Sequence, residues 1–156
     1  MTFNDIVACM EPLFEQLESS QLYRAGTNYR GIPEKGIYVF YEDREPIYVG
    51  RVGGTSKQNM RGRIRQHARP SSGHNTATFA FRLLQDKLGV TTGHGAESNR
   101  AELANNHPAE FKEMKERVRN MVVRAVEIEN PVIQTLFEVY ASLALKTTRY
   151  NSFETH

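Results

Sequence analysis

The chain is poor in cysteine, has no long apolar run, and carries no acid in its most basic stretch. A single cysteine, Cys9, in 156 residues leaves no internal disulfide and no Cys cluster for zinc, so a reducing cytoplasm is the expected compartment. No run of 18 apolar residues occurs, so no membrane span is expected. The opening MTFNDIVACMEPLFEQLE carries acids and lacks a basic leader, unlike a secretory signal. What remains is 39% hydrophobic and 24% charged, which fits a globular chain and not a disordered one. The length suits one domain with a small extension. We expect an N-terminal helix and linker over 1–30 and the main domain over 31–156.

Net charge is only +2, but it is unevenly spread. Between Pro46 and Gln85 stand Arg51, Lys57, Arg61, Arg63, Arg65, Arg69 and Arg82, with no Asp or Glu among them. The rest of the chain is mildly acidic. Six of the seven are arginines, whose planar fork suits bidentate contact with phosphate. A basic window of this kind points to a polyanion, nucleic acid first. The plainer reading is a solvated surface whose charges find acids elsewhere in the fold.

Hydrophobic period places the elements. Phe3, Ile6, Val7, Met10, Leu13, Phe14 and Leu17 form a helical stripe that Pro12 should weaken or kink. The segment 24–35 reads as a loop. The β-forming runs 36–41 and 46–50 flank the polar turn Glu42-Asp43-Arg44-Glu45 and predict an antiparallel hairpin. A basic helix is expected from Asn59 to Ala68, another over 76–88, and helical sequence over 97–119 with Pro108 opening a fresh helix. The Gly-rich segment 89–98 lacks the Gly-Lys-Ser/Thr ending of a phosphate loop and reads as a plain loop. Residues 121–129 predict a third strand, and Asn130-Pro131 caps a last helix over 131–146. The expected fold class is α+β, a small three-stranded antiparallel sheet flanked by helices.

Several residues carry chemistry. Tyr38 and Tyr48, on adjacent strands of the hairpin, can present two phenols on one face. Arg63 and His67 are spaced i, i+4 and share a helix face; Arg61 and Arg65 form a similar pair on another part of the surface. Glu138 lies at the border of an apolar stripe, and Asn151 follows the last helix. Taken singly, each reads as packing, a solvated charge or a cap.

In order and spacing, Gly36-Ile37-Tyr38, Tyr48-Val49-Gly50, Arg63-Ile64-Arg65-Gln66-His67, a helical Glu138 and a trailing Asn151 resemble the GIY-YIG nuclease family over roughly residues 31–153. The resemblance implies a three-stranded antiparallel sheet flanked by helices and a metal-dependent endonuclease acting on DNA phosphodiesters. It gives Tyr38 and Tyr48 the motif tyrosines, Arg63 the catalytic arginine, His67 a His/Tyr position, Glu138 the metal ligand and Asn151 the supporting asparagine. His74 matches a further histidine more loosely. Arg51 follows the second motif where a small residue often stands. With Lys57, Arg61, Arg65, Arg69 and His74, it is expected on the DNA-binding surface.

The implied chemistry is physically coherent. One carboxylate, Glu138, suits a single Mg²⁺ (or Mn²⁺) that keeps several waters. Arg63 can neutralise phosphate oxygens. The base is either Tyr38, whose phenol near pKa 10 needs nearby positive charge, or His67, whose ordinary value lies near 6.5. A non-catalytic nucleic-acid-binding module of the same fold is the alternative. A homodimer or a partner protein could supply specificity.

Overall fold

A computed structural model describes residues 1–26, 29–54, 56–90 and 100–151. The elements run α1 (Phe3–Ala8), α2 (Met10–Glu18), β1 (Tyr23–Arg24), β2 (Gly36–Glu42), β3 (Glu45–Val52), α3 (Met60–Ala68), α4 (Thr78–Lys87), α5 (Arg100–Asn106), α6 (Pro108–Arg119), β4 (Val122–Glu127) and α7 (Pro131–Ala144). The class is α+β, as expected. The sheet is four-stranded and not three-stranded, in the order β1-β4-β2-β3. The extra strand is only Tyr23 and Arg24, which pair with Val123 and Val122. Two residues cannot display an alternating pattern, and the second fell inside a segment read as loop. The Gly-rich segment read over 89–98 lies, from residue 91, outside the described residues.

The hairpin turns on Asp43 and Arg44, with φ of 49° and 70°. Positive φ at both positions matches the right-handed twist of the flanking strands. The register runs Tyr38↔Gly50 and Phe40↔Tyr48, then slips to Tyr41↔Pro46. A bulge therefore absorbs Ile47, and Pro46 is tolerated because β3 is an edge strand. Tyr38 and Tyr48 are diagonal neighbours on one face rather than direct partners.

Alternate residues of the strands build two cores. Ile37, Val39, Val49 and Val126 meet Met10, Leu17, Ile133, Phe137 and Ala141 from α2 and α7. Tyr38, Phe40, Tyr48, Val52, Val123 and Ala125 face α3, α4 and α6, joining Met60, Ile64, Phe79, Phe81, Phe111 and Met114. The N-terminal segment is thus a packing element: Leu17 is fully buried. The stripe expected as one kinked helix is two, joined at Cys9. Pro12, in the first turn of α2, has no N–H to continue the ladder from α1. The caps are as the sequence suggests. Asn59 Oδ1 accepts from Gly62 N at 2.8 Å, and Asn130 Oδ1 accepts from Val132 N and Ile133 N at 2.9 and 3.1 Å.

Candidate active site

Two glycines make the site possible. Gly50 faces Tyr38, and a Cβ there would come within 2.1 Å of Tyr38 Cζ. The Tyr38 ring therefore lies flat across the neighbouring backbone. At Gly36, φ is +134° and a Cβ would meet the Val126 carbonyl oxygen at 2.1 Å, so only glycine starts β2 there.

Tyr38 crosses the sheet to α3, where its hydroxyl is 2.8 Å from His67 Nε2. His67 is fully buried among Phe40, Tyr48 and Phe79, with ring centroids 5.6, 5.6 and 6.5 Å away. Its Nδ1 has no hydrogen-bond partner among the described residues. Burial, then the charges of Arg63 and Arg82, hold its pKa well below the usual histidine value, so the ring is neutral. Tyr48 stacks on Phe79 at 4.5 Å with planes 9° apart.

Both phenols are pushed upward by burial. For Tyr38 the Tyr48 phenol and Glu138 add to that rise, while Arg63 opposes it by charge and hydrogen bonding. For Tyr48, Arg82, Arg63 and a hydrogen bond from Thr78 oppose it, and Glu138 adds to it. Glu138 thus lies within electrostatic reach of both phenols, although α7 packs on the opposite face of the sheet.

Arg63 is half-buried and turns toward the start of α4. Its Nη1 donates to the Thr76 carbonyl at 3.0 Å and to Gln66 Oε1 at 3.4 Å, and its Nη2 to Thr78 Oγ1 at 3.3 Å. These are neutral acceptors, which a phosphate would outbid. Glu138 is mostly shielded, its side chain 23% exposed, with Arg51 Nε 3.3 Å from its carboxylate. Burial raises its pKa, and Arg51 and Arg82 hold it down. Asn151 closes the site at the sheet edge. Its Oδ1 accepts from Val49 N at 3.0 Å and its Nδ2 donates to Val49 O at 2.6 Å, so one side chain replaces a missing strand.

The structure therefore gathers Tyr38, Tyr48, Arg63, His67, Glu138 and Asn151 around the β3 edge. Arg51 joins them as the ion-pair partner of Glu138, with a further hydrogen bond to Thr135 Oγ1. Lys57 is exposed in the loop after β3, which Lys35 pins through the carbonyls of Ser56 and Gln58. Arg61 and Arg65 stand over Tyr29, on the far side of α3. Arg69 is exposed just past the end of that helix. His74 lies by Phe81, its carbonyl bound by Arg100.

Arg82 is the main residue that sequence reasoning passed over. It acts on Tyr48, His67 and Glu138, and is anchored by a hydrogen bond to the Tyr150 carbonyl. The signals were its place in the basic window and its i, i+4 spacing from Thr78. Nothing in the sequence set α4 against the hairpin.

Among the described residues no three His, Cys, Asp or Glu side chains gather as a metal-binding cluster. No helix there is long and apolar enough to cross a membrane. Comparisons with protein-family models, with curated proteins and with solved structures find no match for this chain.

Proposed function

We propose that the protein is a metal-dependent endonuclease of GIY-YIG type that hydrolyses DNA phosphodiesters. The observation that carries this reading is the meeting of the Tyr38 hydroxyl and His67 Nε2 at 2.8 Å, with Arg63 and Glu138 acting electrostatically on the same phenol. These four side chains come from β2, α3 and α7, and apolar packing alone requires none of them.

Glu138 is the residue that would hold a divalent ion. The donor set fits Mg²⁺, which takes one or two carboxylates and fills its shell with water. A partly desolvated carboxylate gains from a cation, and here Arg51 supplies one. The ion would replace Arg51 as that neighbour. When bound, it would supply charge neutralisation and a more acidic water.

The chain's own residues do the rest. Arg63 exchanges its neutral acceptors for two phosphate oxygens and aligns the ester. His67 is sealed from solvent and touches no substrate; it acts only through Tyr38. With the imidazole protonated at Nδ1, Nε2 accepts the Tyr38 proton as the phenol takes one from the attacking water. Arg63 and Arg82 suppress the basicity of His67. A phosphate between them offsets that suppression, so the relay gains driving force only when substrate is present.

The alternative is a non-catalytic nucleic-acid-binding module of the same fold. It is favoured by the burial of Tyr38, 1% exposed, and by the ion pair that already satisfies Glu138. A supercoiled-plasmid assay with and without Mg²⁺ separates the two. The nuclease converts plasmid to nicked or linear product only with metal, Glu138→Ala removes cleavage but keeps binding, and Arg63→Ala slows cleavage by at least about 10²-fold. Salt-sensitive binding with no metal-dependent product would leave the binding module.

A further inference from the structure

On the far side of α3 from His67 there is a second basic site. Two residues along a helix rotate a side chain by about 200°, so Arg61 and Arg65 point almost opposite to Arg63 and His67. Beside them is a cavity of about 220 Å³ lined by Arg65, Arg69 and Arg119 together with Tyr29, Ala25, Gly26, Ala68 and Pro70. It is roomy against the ~30 Å³ that one water occupies. No acid lines it, and none of its three arginines forms an ion pair among the described residues.

Tyr29 is the second observation. The residue is only 5% exposed and its hydroxyl is buried with no hydrogen-bond partner among the described residues. Buried hydroxyls are normally satisfied. Arg65 and Arg61 stand 5.5 and 5.9 Å from the centre of the Tyr29 ring, and Arg65, Arg69 and Arg119 line the cavity with it. Gly26 lets Arg119 in: a Cβ there would come 2.9 Å from Arg119 Cγ. Tyr29, with its unpartnered hydroxyl, and the three arginines thus line one cavity. The carbonyl end of α3 opposes an anion with about half a charge, which three full charges outweigh.

We propose that this cavity binds a backbone phosphate of a nucleic-acid strand, gripped by Arg65, Arg69 and Arg119 and by the Tyr29 hydroxyl. The choice of nucleic acid rests on the nuclease reading; the anion site itself does not. A strand held here lies behind α3 while Arg63 grips the scissile phosphate in front. The helix would then be the element that DNA wraps.

The test is anisotropy of a fluorescein-labelled 20-base-pair duplex in EDTA across a salt series. Arg119→Ala is expected to weaken binding about 5–20-fold and to lower the salt slope by about one. Arg119→Lys restores the slope. Tyr29→Phe weakens binding about 2–5-fold with the slope unchanged, since it removes a neutral donor. Lys146→Ala, an exposed charge just past α7, controls for net charge and changes little; thermal melts check that each variant folds. Wild-type affinity and slope in Arg119→Ala overturn the proposal, as does an equal loss in Lys146→Ala. A calorimetric titration with inorganic phosphate separates the sources. Phosphate uptake that Arg119→Ala abolishes, with duplex affinity unchanged, would mark a free-anion site and refute the backbone assignment. Loss of affinity in Arg119→Ala in a protein that cuts no plasmid keeps this site and removes the nuclease. Cleavage with unchanged binding does the reverse.

Discussion

The two faces of the central sheet use alternate residues of the same strands and differ in kind. Ile37, Val39 and Val49 on one face meet aliphatic and aromatic side chains from α2 and α7, while α7 also buries Gln134 and Ser142. Tyr38, Phe40 and Tyr48 on the other bury two phenols and an imidazole against α3 and α4. Burying an incompletely partnered polar group is costly, and His67 Nδ1 and the raised phenols incur that cost here. Ile37, Val39 and Val49 need no functional explanation. The polar face does, and the site is built on it.

Steric substitution at Gly50 should break the contrast most strongly. Alanine there places its Cβ inside the Tyr38 ring. The ring must leave His67 or the strands must part, at an expected cost of about 3 kcal/mol or more. Chemical denaturation should show the loss, and the nicking rate should fall with it. Alanine at Gly53 meets nothing nearer than Gln134 Oε1 at 3.8 Å and should leave stability nearly unchanged. Similar losses at both positions would mean that the Tyr38 ring is not tightly held.

A paired comparison sharpens the point at moderate cost. Val39→Ala removes two buried methyl groups from the carbon face, worth about 2 kcal/mol with the cavity left behind. Tyr38→Phe removes one hydroxyl and strands His67 Nε2, worth about 1–2 kcal/mol. Stabilities therefore fall alike, and activities diverge. Cleavage per folded molecule should survive Val39→Ala and drop by at least about 10²-fold in Tyr38→Phe. Equal activities would remove Tyr38 from the chemistry.

Much of this was legible in the sequence, for a physical reason. The strands, the basic helix and the Asn130 cap announce themselves through period and cap chemistry, which are local. The i, i+4 spacing of Arg63 and His67 already placed them together. Long-range geometry was harder to read. The bulge at Ile47 shifts Tyr48 to a diagonal of Tyr38, and a bulge leaves little local signature. β1 is too short for a pattern. Arg82 acts on Tyr48 because of how α4 packs, which composition does not show. The pairing of Arg51 with Glu138 depends on α7 meeting the β3 edge, a contact between residues far apart in the chain.

The smallest expected effect tests whether the buried imidazole is neutral. The folded pKa of His67 lies well below its unfolded value near 6.5. As pH falls through 6.5, the unfolded chain takes up a proton that the folded one refuses. The stabilisation is therefore complete above about pH 7 and erodes below. From pH 6.5 to 5.5 this amounts to about 1 kcal/mol. Glu138 works in the opposite sense: its raised pKa lets the folded state hold a proton that the unfolded one has released. The measurement is therefore best made in a Glu138→Gln background. Glu42 and Asp86, both lowered, lose their contribution only at more acid pH and stay outside the window. Urea melts across this range should show stability falling with acid, and His67→Leu should flatten the curve. A slope that survives His67→Leu would assign the titration elsewhere. A rise in stability toward pH 5.5 would mean that the imidazole is charged when folded, and the relay through Tyr38 would have to run in the other direction.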